Sequence, residues 1–494
     1  MKRTAIFGPP GTGKTTKLMD IVEQEFANGV AVSDIAFVSF TNAAVDEAKR
    51  RMVKKFGVMQ KDLAWFRTIH SLCFHLSRLP GQQVIMPADL KLFAKIYRIL
   101  EFSGNPRKRE RGDIALSAYN LARSAEMSLK DAWMKTTDWV IHDFSMMDDF
   151  VKAYEEWKLI SGKVDFQDML DHYLASPVSL PLSVSIVDEV QDLNGQQWEV
   201  IEKTFDQSER QYVAGDDDQS IYAWSGSRID KMLDYPADEK IVLNQSHRCP
   251  KKVYNLANAI LRRIKKREPK IWSPRDATGM FRMYGDYSYV PFAKYRDESW
   301  FVLARSDFML DNVRWWLQSV GEVYLDENGY SINQNMAQKI MTIVKLQRGE
   351  EVPVRSLRNA VWQSSLDYNV IDLVHLQEKS KATAEKAGID LKGIDPINIF
   401  ARAIKDDEVV DYYQRAFAIN KDLTMKPNIE LSTIHKVKGR EADNVVILLD
   451  QTGNIIDAYI QDPDNEHRNW YVAVTRAKIR VFPILSASVH GYEL

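Results

Sequence analysis

The sequence predicts an α/β fold with two doubly wound parallel sheets, each interrupted by a mostly helical insertion. Short apolar runs alternate with helical patterns in two separate blocks of the chain. Several of these runs end in polar residues, as strands do at the edge of an open parallel sheet where its site is built. We expect the two cores at residues 1–77 with 163–245 and 246–330 with 426–494, and the insertions at residues 78–162 and 331–425.

The first predicted strand leads into a glycine-rich turn and a helix over residues 17–25. The turn fits the phosphate-loop pattern Gly-x-x-x-x-Gly-Lys-Thr, and its residues are Gly8, Pro9, Pro10, Gly11, Thr12, Gly13, Lys14, Thr15 and Thr16. Glycines let backbone N–H groups surround a polyphosphate, and the helix N-terminus adds positive potential. We expect Lys14 to reach the β and γ phosphates and Thr15 to bind Mg²⁺. An ordinary turn is the alternative, but the flanking strand and helix favour nucleotide binding.

Later strands of the first block end in further candidate residues. The apolar run 183–187 is followed by Asp188 and Glu189, and the next such run leads into an aspartate-rich segment, residues 215–224. Asp188 would contact Mg²⁺ together with Thr15, and Glu189 is the candidate base that orients the attacking water. Asp-Glu pairs are common on surfaces. One that follows an apolar strand downstream of a phosphate loop favours catalysis instead.

The second block contributes two arginines, Arg248 after a strand that begins near Ile241 and Arg476 before the last predicted strand, residues 480–485. An arginine near the γ phosphate can raise the hydrolysis rate by about 10³–10⁵-fold. Either residue alone would be interpreted as an ordinary surface arginine, whereas the motifs around them indicate a role in hydrolysis.

Composition limits the class of protein further. The formal net charge is −2, so any nucleic-acid binding must be confined to a groove or patch. The two cysteines predict no disulfide framework and fit a reducing compartment. No apolar run suggests a signal peptide or a membrane span, so we expect a soluble, cytoplasmic protein without membrane contacts. Two basic clusters, residues 107–111 and 262–270, leave open whether they are solvated faces or touch duplex DNA.

Taken in series, the motifs resemble those of the UvrD/Rep/PcrA-like superfamily 1 DNA helicases. They occur in that family's order, although only the phosphate loop and the aspartate-rich segment are specific alone. The segments that carry the resemblance are residues 8–15, 40–42, 68–70, 165–170, 188–192, 215–224, 244–248, 433–441 and 471–477.

The resemblance implies two RecA-like domains with ATP bound between them, in an ATP-dependent single-stranded DNA translocase and 3′–5′ DNA helicase that uses Mg²⁺. It implies that Gln219 senses the γ phosphate and that Arg248 and Arg476 complete the site. It also implies that His247, Gly439 and Glu441 contact the nucleotide and that Glu441 holds the ribose.

The resemblance also places a DNA strand along aromatic and polar residues. The family stacks bases at the positions of Phe40, Tyr222 and Trp224. The residues expected near the DNA backbone are Thr41, Asn42, Thr68, His70 and His435. Stacking is worth about 1–3 kcal/mol per base and melting one duplex step costs about 1.4 kcal/mol, so one ring can hold a base against re-pairing. From sequence alone, Tyr222 and Trp224 could equally be core aromatics.

The sequence departs from the family pattern in three places. Only seven residues precede Gly8, so we expect the glutamine-containing segment that contacts adenine in relatives to be missing. His247 stands where relatives carry a base-stacking tyrosine, and we therefore expect weak discrimination among nucleoside triphosphates. Tyr492 falls where relatives stack an aromatic on the first base pair of a fork. Because the chain ends two residues later, we expect translocation to be stronger than unwinding.

Two functions remain open at this point. The first is a monomeric helicase that acts on single-stranded DNA and on junctions of single- and double-stranded DNA, with replication or repair proteins as candidate partners. The second is a DNA-stimulated ATPase that remodels protein–DNA complexes without strong strand separation, since it would carry the same motor motifs. RNA as substrate fits these DNA-family motifs less well. A pure nucleotide-binding scaffold is hard to reconcile with Glu189 and two arginines.

Overall fold

The structure, a computed structural model, describes residues 1–79, 83–103, 110–136, 141, 143–366, 376–486 and 491–494. The chain divides into two compact units. The first comprises Met1–Gly279, Asn454–Thr475 and Leu494, and the second comprises Met280–Gly453 and Arg476–Glu493. Each unit contains a predominantly parallel sheet, which confirms the predicted fold class. The domain boundaries expected from the sequence differ from these unit boundaries at residues 246–279 and 454–475 and stay a prediction.

The first unit has a six-stranded sheet in which every pair of strands is parallel. Its strands are β1 (Lys2–Phe7), β2 (Ile35–Ser39), β3 (Phe66–Thr68), β4 (Val184–Val187), β5 (Arg210–Gly215) and β6 (Glu239–Val242). Their order is β3-β2-β4-β5-β1-β6. Both β2 and β4 are buried along their whole length. Such continuous apolar runs are typical of strands that helices cover on both faces.

The first unit also contains helices, of which some pack on the two faces of this sheet and others do not. They are α1 (Lys14–Ala27), α2 (Asn42–Phe56), α3 (Ile69–Leu76), α4 (Pro87–Tyr97), α5 (Arg111–Ser124), α6 (Leu129–Thr136), α7 (Phe144–Ser161), α8 (Phe166–Ala175), α9 (Gly195–Thr204), α10 (Ile229–Leu233), α11 (Lys251–Leu261), α17 (Gly453–Gln461) and α18 (Pro463–Val474). One core, which includes Leu18 and Phe37, involves α1 and α2. The opposite core includes Leu72, Leu170 and Trp198 from α3, α8 and α9. The sheet is therefore doubly wound.

The helices α4 to α7 have a separate aromatic core. Phe93, Phe150, Tyr154 and Trp157 are buried together, with the rings of Phe93 and Phe150 6.0 Å apart. The predicted insertion at residues 78–162 is therefore helical where the structure describes it. Its apolar side chains pack among themselves, which explains why the strand–helix alternation stops in this stretch.

The second unit is organised around a seven-stranded sheet. Its strands are β7 (Met280–Phe281), β8 (Trp300–Ala304), β9 (Tyr324–Asp326), β10 (Gly329–Tyr330), β13 (Ile429–Thr433), β14 (Ala442–Leu448) and β15 (Ala477–Ile484). Their order is β10-β9-β13-β8-β14-β15-β7, and all pairs are parallel except the hairpin of β9 and β10. Trp300, Val302 and Phe482 lie in the core on one face of this sheet, to which α12 (Asp311–Ser319) contributes Leu317.

The second predicted insertion, residues 331–425, is also mostly helical where it is described. It contains α13 (Gln334–Gln347), α14 (Val354–Trp362), α15 (Ala401–Ile404) and α16 (Asp407–Asn420), with a two-stranded ribbon of β11 (Val352–Pro353) and β12 (Lys381–Ala382). Ile340, Leu357, Phe400 and Tyr413 form its core. None of the described helices combines the length and the apolar character needed to cross a membrane.

Candidate functional site

The predicted phosphate loop connects β1 to α1, as its pattern requires. Thr12 closes the turn, because its N–H and its hydroxyl both donate to the carbonyl of Pro9, at 3.2 and 2.8 Å. Gly11 and Gly13 have φ values of +70° and +77°, a region that favours glycine. Gly13 stands immediately before α1 and no side chain caps this helix. Its first N–H groups are therefore suited to bind phosphate oxygens.

A second segment packs closely against this loop. A Cβ atom on Gly11 would lie 2.3 Å from the Cβ of Arg248, so only glycine allows this approach. The Ser246 hydroxyl donates to the Pro10 carbonyl at 2.7 Å, and the His247 N–H donates to the Gly11 carbonyl at 2.8 Å. The structure thus brings His247 and Arg248 to the phosphate loop, and the His247 side chain is exposed.

The structure also brings Lys14, Thr15, Asp188 and Glu189 together. Lys14 Nζ lies 2.8 Å from Glu189 Oε2 and 3.9 Å from Asp188 Oδ1. The Thr15 hydroxyl donates to Asp188 Oδ2 at 3.2 Å. A hydroxyl and a buried carboxylate oxygen this close are ligands of the kind that Mg²⁺ prefers, so these two residues fit the predicted metal site.

Burial and neighbouring charges together leave the pKa values of both Lys14 and Asp188 raised above their ordinary values. Burial alone would lower the pKa of Lys14, but the carboxylates of Glu189 and Asp188 raise it above its ordinary value. Burial raises the pKa of Asp188 to about 6, and the charge of Lys14 opposes this rise. Lys14 is therefore a fixed cation, ready to neutralise phosphate charge.

Glu189 has an uncommon backbone conformation. Its φ is +57°, in the left-handed region that costs a non-glycine residue about 1–2 kcal/mol. Its side chain is 30% exposed although Asp188, its neighbour, is buried. Strained residues of this kind cluster at functional sites, and the side chain of this one pairs with Lys14.

Gln191 and Gln219 extend the network from Glu189. The Gln191 amide donates to Glu189 Oε2 at 2.5 Å, and Gln191 Oε1 accepts from the Asp216 N–H at 3.1 Å. Gln219 Nε2 donates to Asp216 Oδ2 at 2.6 Å. The predicted γ-phosphate sensor and the predicted base are therefore joined through Gln191 and Asp216.

Three predicted nucleotide residues lie close together in the second unit. Arg476 is buried, and its Nη1 donates to the carbonyl of Arg440 at 3.2 Å. Arg440 stands between Gly439, whose φ is +81°, and the exposed Glu441. In the first unit, Arg248 Nη1 donates to the carbonyl of Thr475 at 3.5 Å.

The three predicted base-stacking aromatics form one surface of the first unit. The rings of Phe40 and Tyr222 are stacked with their centroids 6.3 Å apart, and Tyr222 meets Trp224 edge to face at 6.2 Å. Phe40 is 41% and Trp224 60% exposed. We call these three rings the aromatic trio. Phe40 and Trp224 are not core residues, so the core alternative is wrong for Trp224, whereas Tyr222 is half-buried.

Phe166 is an aromatic residue beside this surface that the sequence analysis did not select. It is 63% exposed and meets the ring of His70 edge to face at 5.6 Å. Its position next to the motif residue Asp165, at the start of α8, was a sequence signal that could have identified it. A groove of about 760 Å³ opens beside Trp224 and Phe166, and α5 contributes Asn120 to its lining. Cavities of this size accept small-molecule groups such as a nucleobase.

Two predicted DNA-backbone residues act as helix caps. The Thr41 hydroxyl accepts from the Ala44 N–H at 3.3 Å at the start of α2. The Thr68 hydroxyl accepts from the Ser71 N–H at 3.4 Å at the start of α3. Thr41 is thus the N-cap of α2, and Thr68 is the N-cap of α3. Asn42, the first residue of α2, is exposed.

In the second unit, His435 has a cationic neighbour that the sequence analysis missed. Arg305 Nη1 lies 3.5 Å from His435 Nδ1. Arg305 directly follows β8, and a polar residue after a buried strand was a signal that could have identified it.

Tyr492 is not at the surface. Its side chain is 5% exposed and its N–H donates to the carbonyl of Leu449 at 2.8 Å. Stacking on a base pair would require this side chain to leave its buried position.

The structure describes the two predicted basic clusters to different extents. Within residues 262–270, Arg267 and Lys270 bind aspartates, whereas Arg262, Lys265 and Lys266 are exposed. The other cluster lies outside the described residues at positions 107–109.

The fold and the phosphate-loop site define a P-loop nucleotide-binding protein. Residues 2–240 match the UvrD/REP helicase N-terminal domain, and residues 309–488 match the UvrD-like helicase C-terminal domain. Two similar relatives are the ATP-dependent DNA helicases PcrA of Staphylococcus epidermidis and Staphylococcus aureus, both 26% identical, over 302 and 291 residues.

These matches cover 56% and 54% of this chain, and 41% and 39% of the two relatives, so they span less than half the length of those relatives. The two domain matches together take in most of the chain. The chain belongs to the UvrD/Rep/PcrA-like superfamily 1 helicase family.

Proposed function

We propose that this protein is an ATP-dependent translocase on single-stranded DNA and a 3′–5′ DNA helicase. The observation that supports this most strongly is the segment of residues 215–224. It carries Gln219, which bonds Asp216 at 2.6 Å, and it ends with Tyr222 and Trp224 of the aromatic trio. One short segment thus joins the nucleotide network to a base-stacking surface, which is what the conversion of hydrolysis into movement needs.

The nucleotide residues would act by positioning and by neutralising charge. Lys14 pairs with Glu189 at 2.8 Å, so a bound polyphosphate would compete for Lys14 and leave Glu189 to accept a proton from the attacking water. Thr15 and Asp188 would hold Mg²⁺, which supplies further neutralisation at the β and γ phosphates when it is bound. We propose that Arg248 and Arg476 neutralise the charge that develops on the γ phosphate. We propose that Gly439 and Glu441 contact the ribose.

The DNA side of the proposal depends on stacking. Phe40 and Trp224 are exposed and each contacts the ring of Tyr222, so bases can reach the trio. Base–aromatic stacking of about 1–3 kcal/mol per base tolerates any sequence. Phe166 lines the same groove as Trp224 and contacts the ring of His70. We therefore propose single-stranded DNA and its junctions with duplex as the substrates.

A second candidate function is a DNA-stimulated ATPase that remodels protein–DNA complexes without strong strand separation. The burial of Tyr492 favours it, since the aromatic expected at a fork lies in the core of its unit. The two candidates share the ATP site and the aromatic trio and differ only in what happens at a junction.

The test compares the wild type with Glu189→Gln in ATP hydrolysis, with and without single-stranded DNA. Unwinding is measured in parallel on duplexes with a 3′ or a 5′ single-stranded tail. The helicase proposal predicts DNA-stimulated turnover that the variant loses, and unwinding from the 3′ tail only. Stimulated turnover without unwinding would replace it by the remodelling ATPase. Turnover that DNA does not stimulate would refute both.

A further inference from the structure

Three consecutive carboxylates, Asp216, Asp217 and Asp218, are completely buried directly after β5. They lie close enough together to resemble a metal site, but two cations already bind them. Lys270 Nζ lies 3.1 Å from Asp216 Oδ1 and 2.9 Å from Asp218 Oδ2 and also bonds Asp217. Arg267 binds Asp218 in a bidentate manner, at 2.7 and 2.6 Å. We call these five residues the buried ion cluster.

The cluster is continuous with the nucleotide network. Asp216 uses one carboxylate oxygen for Lys270 and the other for the Gln219 amide, at 2.6 Å. Its N–H donates to Gln191, which in turn bonds Glu189 at 2.5 Å. Lys270 is thus linked to Gln219, the proposed γ-phosphate sensor, by one ion pair and one hydrogen bond through Asp216. Its Nζ also lies 5.7 Å from the ring centroid of Phe7, the residue before the phosphate loop.

The cluster also binds α18. Arg468, on this helix, donates through Nε to the carbonyl of Asp217 at 2.9 Å and through Nη2 to the carbonyl of Lys266. Asp464, at the start of the same helix, accepts from the N–H of Lys266 at 2.7 Å. The segment that carries Lys270 is therefore held between the carboxylates and a helix that ends two residues before Arg476 in the sequence.

We propose that Lys270 is a positioning residue for ATP hydrolysis, which fixes the carboxylate of Asp216 and through it the orientation of the Gln219 amide. This role rests on the proposed ATPase function of the same site. Removal of one partner leaves the other charges buried and uncompensated. Without Lys270, the Asp216 carboxylate loses the ion pair that fixes its position, so the Gln219 amide no longer has a fixed acceptor.

The test uses a charge-balanced double variant, because Lys270→Met alone leaves an unpaired buried carboxylate and can unfold the protein. Lys270→Met combined with Asp217→Asn removes one positive and one negative charge and leaves Asp216 and Gln219 in place. We expect this variant to keep KM for ATP within about twofold and to lose about tenfold in kcat. Lys265→Met removes an exposed lysine from the same segment, and we expect it to match the wild type.

A cycle with Gln219→Ala separates positioning from general stability. If Lys270 acts through Gln219, the charge-balanced change should lower kcat by less than about twofold once Gln219 is alanine. Equal losses in both backgrounds, or wild-type kcat in the double variant, would overturn the role of Lys270. Turnover is recorded with and without DNA. If DNA does not stimulate ATP turnover by the wild type, the proposed function is overturned. The role of Lys270 is judged separately, because it is measured as ATP turnover itself.

Discussion

The substitution Trp224→Ala removes one ring of the aromatic trio and tests the strand-contacting surface directly. Trp224 is 60% exposed and meets Tyr222 edge to face at 6.2 Å. The free energy of unfolding should therefore fall by no more than about 0.5–1.5 kcal/mol, the value of one aromatic pair. The loss of a stacked base costs about 1–3 kcal/mol. At 1.4 kcal/mol per tenfold, the Kd for single-stranded DNA should rise by about 5- to 140-fold.

Fluorescence anisotropy with a labelled oligonucleotide at several salt concentrations measures this effect. Because tryptophan is uncharged, the slope of log Kd against log salt concentration should stay at its wild-type value. Trp315→Ala is the matched control, since Trp315 is a 70% exposed tryptophan on α12 of the second unit. Its Kd should not change. A wild-type Kd for Trp224→Ala, or an equal loss in both variants, would refute stacking on Trp224.

The nucleotide site and the helix after β3 provide three more tests. Glu189→Gln should lower kcat by about 10²–10⁴-fold and retain nucleotide binding; a single-turnover rate close to that of the wild type would exclude Glu189 as the base. Gly11→Ala should lower the free energy of unfolding by at least about 1–2 kcal/mol, because its Cβ would lie 2.3 Å from the Cβ of Arg248 at φ +70°. Urea denaturation checks this against Gly285→Ala, whose Cβ meets nothing within 4 Å, and equal stabilities would contradict it. Burial lowers the pKa of His70, so the unfolded chain binds the proton first and stability should fall as pH drops below about 6.5. His70→Gln should flatten this dependence in urea titrations, and an unchanged slope would show that another group causes it.

The phosphate loop and the first sheet were predictable because their signals are local. The apolar strand before Gly8 and the apolar run before Asp188 both appear as strands within a residue of their expected ends. The first helix begins at Lys14 rather than at residue 17, because the loop's own lysine and threonines already have helical backbone. No side chain caps this helix, so the sequence carried no start signal there.

Long-range ion pairs were not predictable in the same way. Lys270 and Asp217 bond although 53 residues separate them, and no periodicity links the two positions. The sequence presented one as part of a basic cluster and the other as part of an acidic motif. Residues missed for a similar reason are Phe166 and Arg305, whose neighbours His70 and His435 come from distant parts of the chain. The side-chain position of Tyr492 likewise depends on tertiary packing.

The segment of residues 215–224 can transmit a change at the nucleotide only if it is stiff. Its carboxylates are held by the buried ion cluster, and Ser220 donates to the carbonyl of Gln191 at 2.9 Å. Close-packed interiors of this kind pass on a displacement rather than absorb it. A shift of Gln219 would therefore move Tyr222 and Trp224, and we propose that each of these rings stacks on a base, which is worth about 1–3 kcal/mol.

The stacking energy does not decide between the two proposed functions. Stacking of about 1–3 kcal/mol per base is comparable to the cost of about 1.4 kcal/mol for one duplex step, so under either proposal a ring of the aromatic trio would oppose re-pairing of a melted base. Tyr492, the residue expected to stack on the base pair at the fork, is buried. Under either proposal, the protein would move along a single strand whether or not it separates a duplex. The balance between helicase and remodelling ATPase therefore depends on contacts at the fork and not on the ATP site.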